Sequence, residues 1–161
     1  MSLDRFIDAQ KEDYDIAFRE ISNGRKMNHY MWYIFPQIKG LGRSSTASFY
    51  GIDGLEEARD YMENEYLRNN LVNISSKLLE LETNNPVEIF GATDSKKLRS
   101  CMTLFELVSD NDVFSLVLEK YFDGERDENT LNKIWLWVNS PHFKNQLDWI
   151  NKIKWFYFLA F

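Results

Sequence analysis

The residues best suited to chemistry lie in a part of the chain that contains no acidic side chain. Between Glu20 and Asp53 there is neither Asp nor Glu, although the whole sequence has a formal net charge of −6. Positive charge concentrated inside an acidic protein favours the binding of an anion. The interval is therefore predicted to hold an anion site. Its basic and imidazole side chains are Arg25, Lys26, His29, Lys39 and Arg43.

The string Lys39-Gly40-Leu41-Gly42-Arg43-Ser44-Ser45 lies within this interval, directly before an expected helix. Glycines let backbone N–H groups converge on a ligand, and the start of a helix adds further unpaired N–H groups. The Arg43 side chain could donate two hydrogen bonds to one phosphate. A plain turn followed by a serine helix cap explains the same string. The phosphate-binding residues predicted here are Lys39, Gly40, Gly42, Arg43 and Ser44.

An aromatic segment that begins with a histidine precedes this loop. His29 and Trp32 are three positions apart and would share one face if the segment were helical. Trp32 is predicted to stack on the base or sugar of a ligand, with Gln37 as a further binding residue. His29 is the predicted acid–base group, because imidazole titrates near neutral pH. The alternatives are a core position for Trp32 and a structural role for His29.

A second polar cluster consists of Asp94, Lys97 and Arg99. If this cluster folds against the aromatic segment, Asp94 could orient His29 as a second catalytic residue, and Arg99 could bind the ligand. The simpler interpretation is that Asp94 caps a helix. No metal site and no cofactor are predicted, because the cysteine and both histidines are isolated in the sequence. The cysteine, Cys101, is expected to be buried among apolar neighbours.

The elements that must position these residues are predicted to be helices. Apolar residues recur at helical spacing, as in Leu67, Leu71, Ile74 and Leu78, whereas alternation typical of strands is missing. We expect an all-α fold of about seven or eight helices with no sizeable sheet. The predicted organisation is a helical domain over residues 1–132 and a C-terminal extension over 133–161. The extension is aromatic and basic, and it is expected to form a helix that docks on the domain or joins two copies in a homodimer.

Charge and hydropathy exclude several classes of partner. A net charge of −6 argues against binding to long duplex nucleic acid. No apolar run approaches the roughly 20 residues of a membrane span, and the N-terminal residues resemble no targeting signal. The expected location is the cytoplasm.

Several short motifs carry a family resemblance. They are Asp4-Arg5-Phe6, the run from His29 to Gln37, Gly40-Leu41-Gly42, Tyr50-Gly51-Ile52, Glu57-Ala58-Arg59, Ile89-Phe90-Gly91, Asp94, Lys97-Leu98 and the run from Ser100 to Phe105. In this order, over residues 4–131, the sequence resembles the family called domain of unknown function 1810. The resemblance implies a compact, mostly helical bacterial protein without an established activity. Two features differ from the family pattern: Cys101 stands where serine is usual, and residues 133–161 extend past its end.

These observations predict a protein that binds or hydrolyses a small phosphorylated ligand, such as a nucleotide or an ADP-ribose-like molecule. The site would lie around residues 29–45. The alternative is a protein-interaction module without catalytic activity. A single concave pocket that collects His29, Trp32, Arg43 and Asp94 would favour the first hypothesis.

Overall fold

Eight α-helices make up the fold in the computed structural model, which describes residues 2–141, 151 and 155. Within these residues, β-structure is limited to one isolated parallel bridge between Ile38 and Ile52. The predicted all-α fold is therefore confirmed. The helices are α1 (Asp4–Ser22), α2 (Met31–Ile34), α3 (Ser45–Tyr50), α4 (Gly54–Glu63), α5 (Glu65–Glu80), α6 (Pro86–Val108), α7 (Val113–Phe122) and α8 (Glu128–Val138).

Local signals in the sequence account for several helix ends. The side chain of Asp127 caps α8 by accepting the Thr130 N–H at 2.9 Å. The chain leaves α7 through Asp123, which adopts the left-handed conformation with φ 53°. Both ends depend on neighbouring residues, because a capping side chain and a left-handed residue act within one helical turn.

Two helix starts depend on contacts that the local sequence does not show. Asp53 and Glu56 have the spacing of a capping box, but they do not form one at the start of α4. Instead, the Asp53 N–H donates to Glu57 at 2.6 Å, because the Glu57 carboxylate is fixed there by two hydrogen bonds from Arg5. The second case is α6, which is interrupted at Gly91 (φ 77°, ψ 168°), where two helical segments meet at a kink. Asp94 lies three residues past this break, within the second segment, and its carboxylate binds lysines rather than capping a helix.

The core forms where α1, α5, α6 and α7 pack together, with α6 lying most extensively against α7. Its largest fully buried side chains include Phe6, Tyr61 and Phe105. A buried amide ties the core to the site region: the Gln10 side chain donates to the Tyr33 carbonyl at 2.7 Å and to the Tyr61 hydroxyl at 2.9 Å. These bonds hold α2 against α1 and α4 and compensate for burying the amide.

The C-terminal predictions are only partly covered by the structure. Helix α8 runs across the boundary that was placed after position 132, and Ile134 and Val138 are buried in the core. Docking or dimerisation by the rest of the extension lies outside the described residues. None of the described helices is long and apolar enough to cross a membrane.

Candidate functional site

The predicted phosphate-binding loop forms a turn above a short pairing of two chain segments. The Lys39 N–H donates to the Ile52 carbonyl, and the Ile52 N–H donates to the Gln37 carbonyl, each at 2.9 Å. The chain then reverses at Gly40, whose φ of +96° suits glycine. In the described part of the chain, the N–H groups of Gly40, Gly42 and Arg43 donate to no acceptor. The turn therefore presents unused backbone donors.

A lysine from a distant helix completes the positive charge at this turn. Lys133 extends from α8, and its Nζ lies 3.2 Å from the position that a Cβ on Gly40 would occupy. Lys39 and Arg43 belong to the turn itself. Within residues 2–141, none of these three cations forms an ion pair with an acidic side chain. The sequence analysis assigned Lys133 to the C-terminal extension and did not include it in the site, because no local pattern links it to Gly40.

Ser44 and Gly42 have clear local roles. The Ser44 hydroxyl caps α3 by accepting the Ala47 N–H at 3.1 Å, as the simpler interpretation of the string predicts. Gly42 allows the turn to pack closely, since a Cβ there would lie 2.6 Å from the Ala47 Cβ and 3.3 Å from the Trp32 ring. These contacts fix the shape of the turn beneath its cations.

Trp32 and Gln37 lie together beside a small internal cavity of about 10 Å³. Gly42, Ala47 and Gly51 contribute to the same lining. The Gln37 side chain is buried, and its Nε2 has no hydrogen-bond partner among the described residues. A space of this size can hold about one water molecule. The structure thus brings these two predicted residues together, but around a space far smaller than a nucleotide.

Asp94 forms the centre of a charged network at the side of Trp32. Its carboxylate binds Lys26 at 2.8 Å and Lys97 at 2.9 Å, and the Lys97 Nζ lies 4.0 Å from the centre of the Trp32 ring. Burial alone would raise the pKa of Asp94, but the hydrogen bonds and charges of both lysines lower it overall. Asp94 therefore remains ionised and anchors α6 to the segment before α2.

His29 stands apart from this network. It is exposed and precedes α2, so the shared helical face expected for His29 and Trp32 is not formed. No contact between His29 and Asp94 exists among the described residues, and both Asp94 oxygens bind lysine. The structure therefore does not bring the two predicted catalytic residues into one hydrogen-bonded pair.

In the folded protein, acidic side chains from outside the interval between Glu20 and Asp53 contact residues within it. Asp94 pairs with Lys26, and the Glu20 carboxylate accepts the backbone N–H groups of Met27 and Asn28 at 2.8 and 3.2 Å. Although burial opposes it, these hydrogen bonds lower the pKa of Glu20. The sequence pattern gave no sign of either contact. Lys26 is thus paired with an acidic side chain, whereas Lys39 and Arg43 of the turn around Gly40 form no ion pair within residues 2–141.

Arg99 and Cys101 lie away from the turn. Arg99 faces α7, with its guanidinium 5.8 Å from the centre of the Phe122 ring and 3.9 Å from the Glu125 carboxylate. Cys101 is fully buried, and burial raises the pKa of its thiol well above the ordinary value. Neither residue reaches the predicted loop. Among the described residues, no group of three or more His, Cys, Asp or Glu side chains could hold a metal ion.

Comparison with known proteins gives a family and a related structure. The chain is similar to the conserved hypothetical protein Rv1873 from Mycobacterium tuberculosis, whose crystal structure it matches with a TM-score of 0.81 and 39% sequence identity. The match covers 83% of this chain and 96% of that one. No curated protein matches the sequence. Residues 1–134 match the family described as "Protein of unknown function (DUF1810)", and the chain therefore belongs to that family.

Proposed function

We propose that this protein binds a small phosphorylated ligand at the Gly40 turn, defined as residues 39–43 together with Lys133. The observation that carries the proposal is the position of the Lys133 Nζ, which lies 3.2 Å from where a Cβ on Gly40 would be, beside a turn that itself carries Lys39 and Arg43. None of these three cations has an acidic partner within residues 2–141, whereas Lys26 and Lys97 are already neutralised by Asp94.

The chemistry of the turn suits a phosphate group. Arg43 can donate two parallel hydrogen bonds to phosphate oxygens, while Lys39 and Lys133 act as point charges. Backbone N–H groups add neutral donors, and Gly40 keeps the backbone accessible because it carries no side chain. The turn is exposed, so each charged contact should contribute modestly and should weaken as salt is added. A small ligand bound by several such contacts is the best fit.

Hydrolysis of this ligand is the second part of the hypothesis, and it depends on His29. The imidazole is exposed and its side chain has no partner among the described residues, so it is available to exchange protons. We expect a His29→Gln protein to bind the ligand as the parent does but to release no product from it. Release of product at the parent rate would remove His29 from the reaction.

Calorimetry with a panel of phosphorylated compounds tests the binding. The panel consists of inorganic phosphate, ATP, ADP-ribose and glucose 6-phosphate. For the compound that binds best, Arg43→Ala and Lys133→Ala should each weaken binding about tenfold, equivalent to about 1.4 kcal/mol. The matched control is Lys96→Ala, which removes an exposed lysine on α6 and should leave the affinity unchanged.

Two results would contradict the proposal. One is a folded Arg43→Ala/Lys133→Ala protein that binds with the parent's affinity. The other is a parent protein that binds no member of the panel, which would favour the interaction-module alternative. Melting temperatures of all variants separate loss of affinity from loss of structure.

A further inference from the structure

A cleft lies where α2 and α3 meet α1. The cleft has a volume of about 340 Å³, which falls in the range of small-molecule pockets. One wall is formed by acidic residues of α1 and the other by aromatic rings of α2 and α3. We call it the acidic–aromatic cleft. Its chemistry is opposite to that of the Gly40 turn.

The aromatic wall consists of three rings that pack in sequence. Tyr33 and Tyr50 have ring centres 5.0 Å apart, and Phe49 meets Tyr50 edge-on at 4.8 Å. Phe49 is 50% exposed, although a large apolar ring of this kind usually packs inside a domain. Exposed aromatic rings offer negative π-faces, which attract organic cations.

The acidic wall carries charge that the protein itself does not neutralise. Asp8 and Glu12 are exposed, and neither forms an ion pair with another described residue. Asp13 accepts a hydrogen bond from the Tyr33 hydroxyl. Burial, this hydrogen bond and the Asp13 charge raise the pKa of Tyr33 above its ordinary value. The carboxylates and the aromatic rings therefore line the same small cleft.

A buried arginine lines the same cleft but does not neutralise its acidic wall. Arg5 has a side chain that is 3% exposed, and its terminal nitrogens are engaged by Glu57 and by the Ser2 and Gly51 carbonyls. Its charge is therefore paired with Glu57, and the carboxylates of Asp8 and Glu12 remain available to a ligand.

We propose that the acidic–aromatic cleft binds a small organic cation. The cationic group lies against Tyr50 and Phe49 and faces the carboxylates of Asp8 and Glu12. This site is distinct from the phosphate site, so the protein has one place for an anion and another for a cation.

Ligand-observed NMR on the full chain tests the proposal with choline and L-argininamide as probes. At least one probe should bind with a Kd of about 1 mM or tighter. For choline, the matched uncharged compound is 3,3-dimethylbutan-1-ol, which has the same shape and hydroxyl. For argininamide, the matched compound is citrullinamide, which keeps the α-amine but lacks the guanidinium charge. Each should bind about tenfold more weakly than its charged counterpart.

Substitutions assign the binding to the cleft. Asp8→Asn/Glu12→Gln and Phe49→Ala should each weaken binding about tenfold, and all three positions are exposed enough to leave the fold intact. The control Glu63→Gln/Glu119→Gln removes the same charge from exposed positions elsewhere and should have no effect. Arg43→Ala should also have no effect, which separates this site from the phosphate site. Failure of both probes to bind, or equal binding by the cleft variants and the parent, would overturn the proposal.

Discussion

At the scale of single residues, Asp94 is the clearest case of a side chain whose charge is used by the fold. It joins Lys26, which is almost fully buried, to Lys97 above the Trp32 ring. Replacing Asp94 by Asn leaves a buried lysine without its partner, so the free energy of unfolding at neutral pH should fall by about 1–3 kcal/mol. Urea unfolding at pH 7 measures this difference, and Asp110→Asn is the control because Asp110 is exposed.

The same substitution should change how stability depends on pH. The folded protein holds the pKa of Asp94 below its ordinary value of 3.8. The stability that ionised Asp94 gives the folded protein is therefore present above pH 3.8 and is lost as the pH falls through the folded-state pKa. Between about pH 5 and pH 2 the parent should lose more stability than Asp94→Asn, so that the two unfolding curves converge. An unchanged difference at acid pH would show that the carboxylate's ionisation is not what stabilises this network.

Single residues also show where sequence reasoning works. The Ser44 and Asp127 caps could be predicted because each depends on a backbone N–H only three positions away. The contact between Lys133 and Gly40 could not, since it depends on how α8 packs against the turn. For the same reason, the sequence suggested a continuous positive interval, whereas Asp94 and Glu20 neutralise part of it in the folded protein.

At the scale of elements, the start of α3 and the turn before it depend on a close approach between Gly42 and Ala47. Adding a methyl group at Gly42 places it 2.6 Å from the Ala47 Cβ, well inside van der Waals contact. Gly42→Ala should therefore destabilise the protein by about 1–3 kcal/mol. Removing the opposing methyl in Gly42→Ala/Ala47→Gly should recover part of this loss, although Ala47→Gly alone costs about 1 kcal/mol in a helix.

A double-mutant cycle measured by thermal or urea unfolding tests this steric interpretation. The two substitutions should show a favourable interaction of about 0.5 kcal/mol or more, because each changes the same contact. Strictly additive effects would mean that the turn relaxes and that Gly42 is not held against α3.

The elements also show why the helices were easier to predict than their ends and kinks. The apolar stripe of α5 repeats over several turns, so its helical period is clear from the sequence. The kink in α6 depends on one residue, Gly91. From the sequence alone, a glycine at this position could equally mark the end of a helix or a kink between two helical segments. The start of α4 depends on Arg5, which binds Glu57 across 52 positions in the chain. Long-range ion pairs of this kind leave no local pattern.

At the scale of the whole molecule, the region that matches the family and the folded core do not end at the same residue. The family match ends at residue 134, but Val138 is 4% exposed in the core and Trp137 packs directly on Gly54 at the start of α4. Together, burial of Ile134 and Val138 should contribute about 3–6 kcal/mol, which is large against the 5–15 kcal/mol typical of a whole domain.

A chain that ends at residue 132 should consequently unfold at much lower urea than a chain that ends at residue 141, which retains all of α8. Ile134→Ala/Val138→Ala in the full chain provides the control, because it removes the same apolar groups without shortening the backbone. The free energy of unfolding of this variant should fall by about 2–5 kcal/mol for Ile134 and by less for Val138. Its urea midpoint should therefore also be lower than that of the parent. Equal midpoints for the two shortened chains would mean that the second half of α8 adds nothing to the folding unit. A lower midpoint only for the chain ending at 132 and for the alanine variant would establish the second half of α8 as part of the folded core.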